Sequence, residues 1–184
     1  MTVEGFEAVL AAAQSGVPWG FERLYRSFAP TVLTYLRLQG AHDPEDLTSE
    51  VFLGAFTGIG SFEGGEIQFR AWLLTIAHRR LVDYWRRAAV RPRTASAETA
   101  RLEQVHGGDA EEDALRGLEL EDVRQVLDGL TEDQRQVLLL RILGELTVDQ
   151  VAQAVGKPAT AVKALQRRGL QALRRQLATE VVSP

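Results

Sequence analysis

Lys157, Thr160, Lys163, Gln166, Arg167 and Arg168 fall within a stretch that carries six basic residues and no acid from position 157 to 179. Arg and Lys donate to the O6 and N7 of guanine or to phosphate, and Gln matches the donor–acceptor edge of adenine. Such residues read a DNA groove only when a helix presents them on one side. The residues just upstream predict that arrangement. Thr147 and Gln150 form a Thr-x-x-Gln capping box, Val148, Val151, Ala152 and Val155 give a short apolar face, Gly156 suits a left-handed helix end, and Pro158 suits a first helical position. The pattern is a helix-turn-helix with a cationic second helix. On that helix Val162, Leu165, Gly169, Leu170 and Leu173 are expected to face the core, which leaves Ala159, Thr160, Lys163, Gln166 and Arg167 for DNA. The plainer alternative is a helical hairpin with a solvated basic face.

A second basic island, Arg79, Arg80, Arg86 and Arg87, shares a predicted helix with Trp72, Tyr84 and Trp85. Cations interleaved with rings suit single-stranded DNA, whose bases stack on aromatics while the backbone follows the charge. Trp72 and Tyr84 also fit a core stripe; Trp85 lies one position off it. Asp46 and Glu50, four apart with Leu53 nearby, share one helical face. Two carboxylates at that spacing could exchange protons or bind a metal, but no third ligand accompanies them, so the face reads as solvated or as a docking surface. His42, His78 and His106 do not align with acids as ligand sets. No catalytic residue, cofactor or metal is predicted.

These residues need elements to hold them, and the coarse reading is all-α. Residues 19–39 carry Phe21, Leu24, Tyr25, Phe28, Val32, Tyr35 and Leu36 at helical spacing, with a break or kink expected at Pro30. A helix opens at Asp43-Pro44 with Leu47, Val51, Phe52, Ala55 and Ile59 inward. Residues 58–65 read as a loop, and 67–87 as a helix with Phe69, Trp72, Leu73, Ile76, Ala77, Leu81 and Tyr84 inward. Residues 94–109 read as a linker that could extend roughly 50 Å. Beyond it, Ala114–Leu127 carries Leu115, Leu118, Val123, Val126 and Leu127 at helical spacing, and a second capping box at Thr131-Glu132-Asp133-Gln134 opens another helix.

The net charge of −4 conceals a segregated pattern. Residues 79–93 hold six bases and one acid, whereas 94–128 hold ten acids and three bases. Local potential governs phosphate binding, so the overall sign is a weak objection to nucleic acid. There are no cysteines, hence no disulfides or thiolate metal sites. No apolar run approaches the roughly 20 residues of a membrane span, and the N-terminus lacks the basic start of a secretory signal. The expectation is a cytoplasmic protein without membrane insertion or obligate homo-oligomerisation.

In this order the pieces resemble the bacterial sigma-70 family of RNA polymerase sigma factors, and in size and layout its extracytoplasmic function (ECF) group. The resemblance covers about 18–93 and 112–177. It rests on Asp46-Leu47-Thr48-Ser49-Glu50-Val51-Phe52, on Phe69-Arg70-Ala71-Trp72-Leu73 with Ile76, Ala77 and Asp83, and on the run from Leu130 to Arg141. It implies two small helical domains, a region 2-like bundle at 1–93 and a region 4-like helix-turn-helix domain at 112–184, joined by a flexible acidic linker at 94–111. It also implies non-enzymatic promoter recognition. Asp46, Glu50, Phe52 and Leu53 would dock on the β′ clamp helices of core polymerase, with the β flap as a second polymerase contact. Phe62, Glu63, Gly64, Arg79, Arg80, Asp83, Trp85, Arg86 and Arg87 would serve the −10 element, an unstacked base being held near Phe62, Glu63 and Gly64. Lys157, Ala159, Thr160, Lys163, Gln166, Arg167 and Arg168 would serve the −35 element. An anti-sigma factor is the implied regulator. The sequence departs from the family pattern in having Ser49 for the common Gln, Pro158 and Ala161 for Ser and Thr, and Leu165 where many members have Arg. The rival readings are a stand-alone helix-turn-helix regulator and a non-catalytic sigma-interacting adaptor.

Overall fold

The computed structural model describes residue 3, residues 5–90 and residues 120–180, and every regular element among them is helical. The linker at 94–111, His106, and residues 112–119 with Leu115 and Leu118 lie outside the described residues. The helices are α1 (Phe6–Gln14), α2 (Pro18–Leu38), α3 (Pro44–Gly58), α4 (Glu66–Val90), α5 (120–128), α6 (Glu132–Leu143), α7 (Val148–Val155) and α8 (Ala159–Glu180), with a short 3-10 turn at Ile59–Ser61.

Helices α1 to α4 pack as one bundle. Leu24, Phe28, Val32, Tyr35 and Leu36 of α2 meet Leu47, Val51, Phe52 and Ala55 of α3 and Phe69, Leu73, Leu74, Ala77 and Leu81 of α4, all buried. The rings of Phe6, Phe28 and Phe69 lie 5.1–6.3 Å apart in edge or tilted contacts, geometries that favour aromatic pairs. Helix α2 runs through Pro30 without the expected break. Pro30 is exposed, and the carbonyl it leaves without a donor belongs to Arg26, also exposed. The lost bond therefore falls on the wet side of the helix, where water replaces it.

Helix α1 was not anticipated from the sequence, although Phe6, Val9, Leu10 and Ala13 mark a helical face and are all buried. It crosses α2 so closely that a Cβ on Gly20 would sit 2.5 Å from the Ala13 backbone nitrogen. Only glycine permits that approach.

In the C-terminal half, Leu127 and Leu130 close over Val137, Leu138, Leu139 and Leu140 of α6, with Val151 of α7 and Val162 and Leu165 of α8 completing the core. Both capping boxes form in full: Thr131 with Gln134, and Thr147 with Gln150, each exchange two backbone-to-side-chain bonds. The two halves touch. Arg70 on α4 reaches Glu66 at 3.1 Å and Glu145, in the α6–α7 connection, at 2.5 Å. The Arg70–Glu66 pair is shielded, each side chain being 13% exposed, whereas Glu145 is 52% exposed, so the bridge between the halves is half open to solvent.

Candidate nucleic-acid interface

Helices α7 and α8 form the expected turn. The Thr147 box starts α7, Gly156 ends it at φ 65°, and the Lys157 amide donates back to the Ala152 carbonyl. That left-handed φ favours glycine and turns the chain sharply enough to begin α8 three residues later. Pro158 stands one position earlier than predicted: its carbonyl accepts the first helical bond, from Val162 N–H at 3.1 Å. With no N–H to satisfy, proline costs nothing there.

The buried stripe of α8 is Val162, Leu165 and Gly169, with Ala172 and Leu173 half-buried. Leu170, expected inward, is 38% exposed. It lies one position off the stripe and follows Lys163 and Arg167 along the outer face, at helical spacings of seven and three. Thr160, Lys163, Arg167 and Arg168 are exposed, and Ala159 and Gln166 half-buried. Leu165, where relatives of the resembled family often have Arg, is core here, so this position offers no side chain to DNA. Lys157 does not simply face outward. Its ammonium pairs with Asp133 on the first turn of α6 at 2.9 Å, which ties the turn to α6.

The second basic island occupies the end of α4. Arg79, Asp83, Arg86 and Arg87 are exposed, and Arg86 pairs loosely with Asp83 at 3.7 Å. Arg80 is half-buried, its guanidinium lying across α3 at Gly54. Tyr84 and Trp85 are both half-buried against the core. Burial, and then the nearby Asp43 carboxylate, raises the Tyr84 phenol above its ordinary range. Asp43 itself caps α3 by position only: its side chain makes no bond to the helix and meets His42 instead, at 3.2 Å.

Before α4, the segment that carries Phe62, Glu63 and Gly64 leaves the last two exposed. Phe62 is half-buried, its ring centroid 5.2 Å from Phe69 and 5.0 Å from Trp72. Its ring therefore helps to build the floor under the loop. Trp72, expected in the core, is half-buried in the same cluster.

On α3, Asp46, Glu50 and Leu53 share an exposed face, and Leu53 is 70% exposed, the most exposed of the large apolar side chains among the described residues. Phe52 is separate from them. It is 2% exposed and packed edge-on against Tyr25 and Phe56 at 4.8 and 5.5 Å. Ser49 is exposed and bonds its own helix at the Glu45 carbonyl, 3.2 Å away. His78 is buried and hydrogen-bonded through Nδ1 to the Tyr35 hydroxyl at 3.0 Å.

Comparison with known proteins matches these regions separately. A family model described as sigma-70 region 2 matches residues 24–91, and one described as sigma-70, region 4 matches residues 126–175. The ECF RNA polymerase sigma factor BldN of Streptomyces coelicolor is 34% identical over 90% of this chain, which spans 63% of BldN's length. The ECF RNA polymerase sigma factor SigW of Bacillus subtilis is 31% identical over 79% of this chain and 81% of SigW. Among solved structures, CnrH in complex with the cytosolic domain of CnrY aligns with a TM-score of 0.62, 24% identity, and coverage of 94% of this chain and 96% of that one, which is a likeness of fold.

Proposed function

We propose, from the premise that this chain belongs to the ECF group of the sigma-70 family of RNA polymerase sigma factors, that it carries core polymerase to promoters. It would read a −10 element with α4 and the loop before it, and a −35 element with α8. The observation that carries the reading is the separation of faces within one small chain. Asp46, Glu50 and Leu53 make one acidic, partly apolar exposed face of α3, while the main clusters of exposed cations lie elsewhere, on α8 and the end of α4. A stand-alone regulator needs the cations and has no use for the docking surface.

On this reading the domains divide at 1–93 and 112–184, with 94–111 as tether. Elements at −35 and −10 are about 25 base pairs apart, or roughly 85 Å along B-DNA. Two domains each roughly 12 Å in radius of gyration that touch through Arg70 and Glu145 cannot reach both. Promoter engagement therefore separates the halves, and a tether of 18 residues, roughly 60 Å when extended, supplies much of the distance. The chain contributes binding energy and makes or breaks no bond: strand opening is favoured by holding an unstacked base. A cytoplasmic location and control by an anti-sigma factor belong to the same proposal. No helix among the described residues is long and apolar enough to cross a membrane.

Adding the full chain to sigma-free core polymerase is expected to give a stable holoenzyme and transcripts from discrete promoters. Failure to form a complex, or no specific transcript from any genomic promoter, overturns the reading. A shift of duplex promoter DNA by the chain alone, with no effect of polymerase, would favour the stand-alone regulator. Within α8, Arg167→Ala is expected to cost about 2 kcal/mol of promoter affinity, concentrated at particular −35 base pairs. A loss equal for all −35 sequences, measured by binding to a panel of substituted promoters, would make Arg167 a phosphate contact.

A further inference from the structure

The loop before α4 owes its shape to residues far from it in sequence. Gln14, the last residue of α1, donates through Nε2 to the carbonyl oxygens of Ile59 at 3.1 Å and Phe62 at 2.8 Å. These are the two ends of one tight turn, which Phe62 N–H closes onto the Ile59 carbonyl at 3.0 Å. A single side-chain amide thus grips both ends of the turn that delivers the chain to Glu63 and Gly64. The far end of the loop is also held. Val3 N–H donates to Glu66 at 2.8 Å, and Gly65 N–H to Gln68 at 3.1 Å.

Gln14 can act from a fixed point because α1 is seated on α2. Ala13 beside it is 1% exposed, and Gly20 lets the two backbones meet. The Gln14 side chain itself is exposed and takes no part in the core. It therefore spends its hydrogen bonds on the loop, where the regular helical bonds have stopped. A short segment with few regular bonds opens easily, and a binding loop that must be reordered on contact loses affinity and discrimination. Helix α1 lies outside the residues matched by the region 2 family model, which begins at residue 24.

We infer that Gln14 is a positioning residue for −10 recognition, fixing the Ile59–Phe62 turn so that Glu63 and Gly64 meet an unstacked base. This rests on the promoter-reading role proposed above. Core polymerase binding, placed on Asp46, Glu50 and Leu53 of a different helix, is independent of it.

The test uses holoenzyme assembled with the full chain and a single-stranded −10 oligonucleotide from a promoter that it transcribes. Binding is measured for this probe and for versions substituted at each base. Gln14→Ala and Gln14→Glu, the second keeping the length but lacking the N–H donors, are expected to weaken cognate binding by about three- to tenfold. The cognate-to-substituted ratio should fall by a similar factor, while core polymerase affinity and melting temperature stay at parent values. Gln14→Lys restores a donor and is expected to recover part of the ratio. In the free chain, amide exchange at 62–65 should quicken in Gln14→Ala while that of α3 does not change. Unchanged discrimination in both donor-less variants overturns the inference, as does a loss shared equally by every oligonucleotide. If the parent holoenzyme shows no discrimination among the oligonucleotides, the loop's base-reading role fails first and the inference with it, whereas normal parent discrimination that survives loss of Gln14 refutes the inference alone.

Discussion

Reversing both charges on the exposed face of α3, with Asp46→Arg and Glu50→Arg in one chain, is expected to weaken core polymerase binding by at least about 100-fold. Two acids on one face, four residues apart, would meet a surface of opposite sign, and placing like charges opposite each other at an interface costs several kcal/mol. The substitution is local because both side chains are exposed, and the helix is held from its other side by Leu47, Val51, Phe52 and Ala55. Asp46 also stands in the first turn of α3, where its charge favours the helix dipole. Its reversal there costs the fold only about 0.5 kcal/mol. Competition against labelled parent chain for core polymerase measures the effect, and circular dichroism checks the fold. A well-folded double variant that competes as well as the parent removes α3 from the docking surface.

The second large effect is on stability and follows from His78. Burial, and then the neighbouring Arg79 charge, lowers its pKa from 6.5 to about 4. In the unfolded chain the same imidazole takes up a proton near 6.5, so between those values the unfolded state binds more protons than the folded state. Stability is therefore complete above pH 6.5, declines as pH falls, and has lost about 3 kcal/mol from this group by pH 4. His78→Gln keeps an acceptor for the Tyr35 hydroxyl and removes the titration. Denaturant unfolding at pH 7 and at pH 4.5 should show a steeper loss in the parent than in the variant. Parallel losses would show that His78 does not control the acid limb. Burial also pushes the Tyr35 hydroxyl far above its ordinary range, so the acid limb comes from the imidazole of this pair and not from the phenol.

Much of the fold was legible because its signals are local. The capping boxes at Thr131 and Thr147, the glycine at 156 and the three-and-four spacing of Val51 with Ala55 or of Phe69 with Leu73 each depend on residues within one or two turns. Helix α1 escaped notice because a run of small residues such as Ala11, Ala12 and Ala13 looks weakly patterned until a partner helix gives it an inside. Pro30 leaves α2 unbroken for a related reason: proline's cost depends on whether the orphaned carbonyl is wet, which only the packing around α2 reveals.

The candidate interface divides in the same way. That clustered exposed cations sit on α8 and the end of α4, and that Asp46 and Glu50 share a face, follows from helical periodicity in the sequence. Which neighbours join those faces does not. Phe52 and Leu53 are adjacent apolar residues, yet one is sealed against Tyr25 and Phe56 and the other stands in solvent. Leu165 and Leu170 differ similarly, Lys157 is drawn onto α6 by Asp133, and Arg80 lies across α3 at Gly54.

By itself, the sequence determined the helices after α1, the capping boxes at Thr131 and Thr147, the helix-turn-helix and the family, since these rest on short-range geometry and on the order of motifs. Tertiary structure alone decided how Gln14 meets Ile59 and Phe62, 45 and 48 residues away, and how Arg70 joins Glu145, 75 residues away. Periodicity states which side of a helix is inward, but the identity of what lies opposite depends on how whole helices cross, and that is settled by packing across the core.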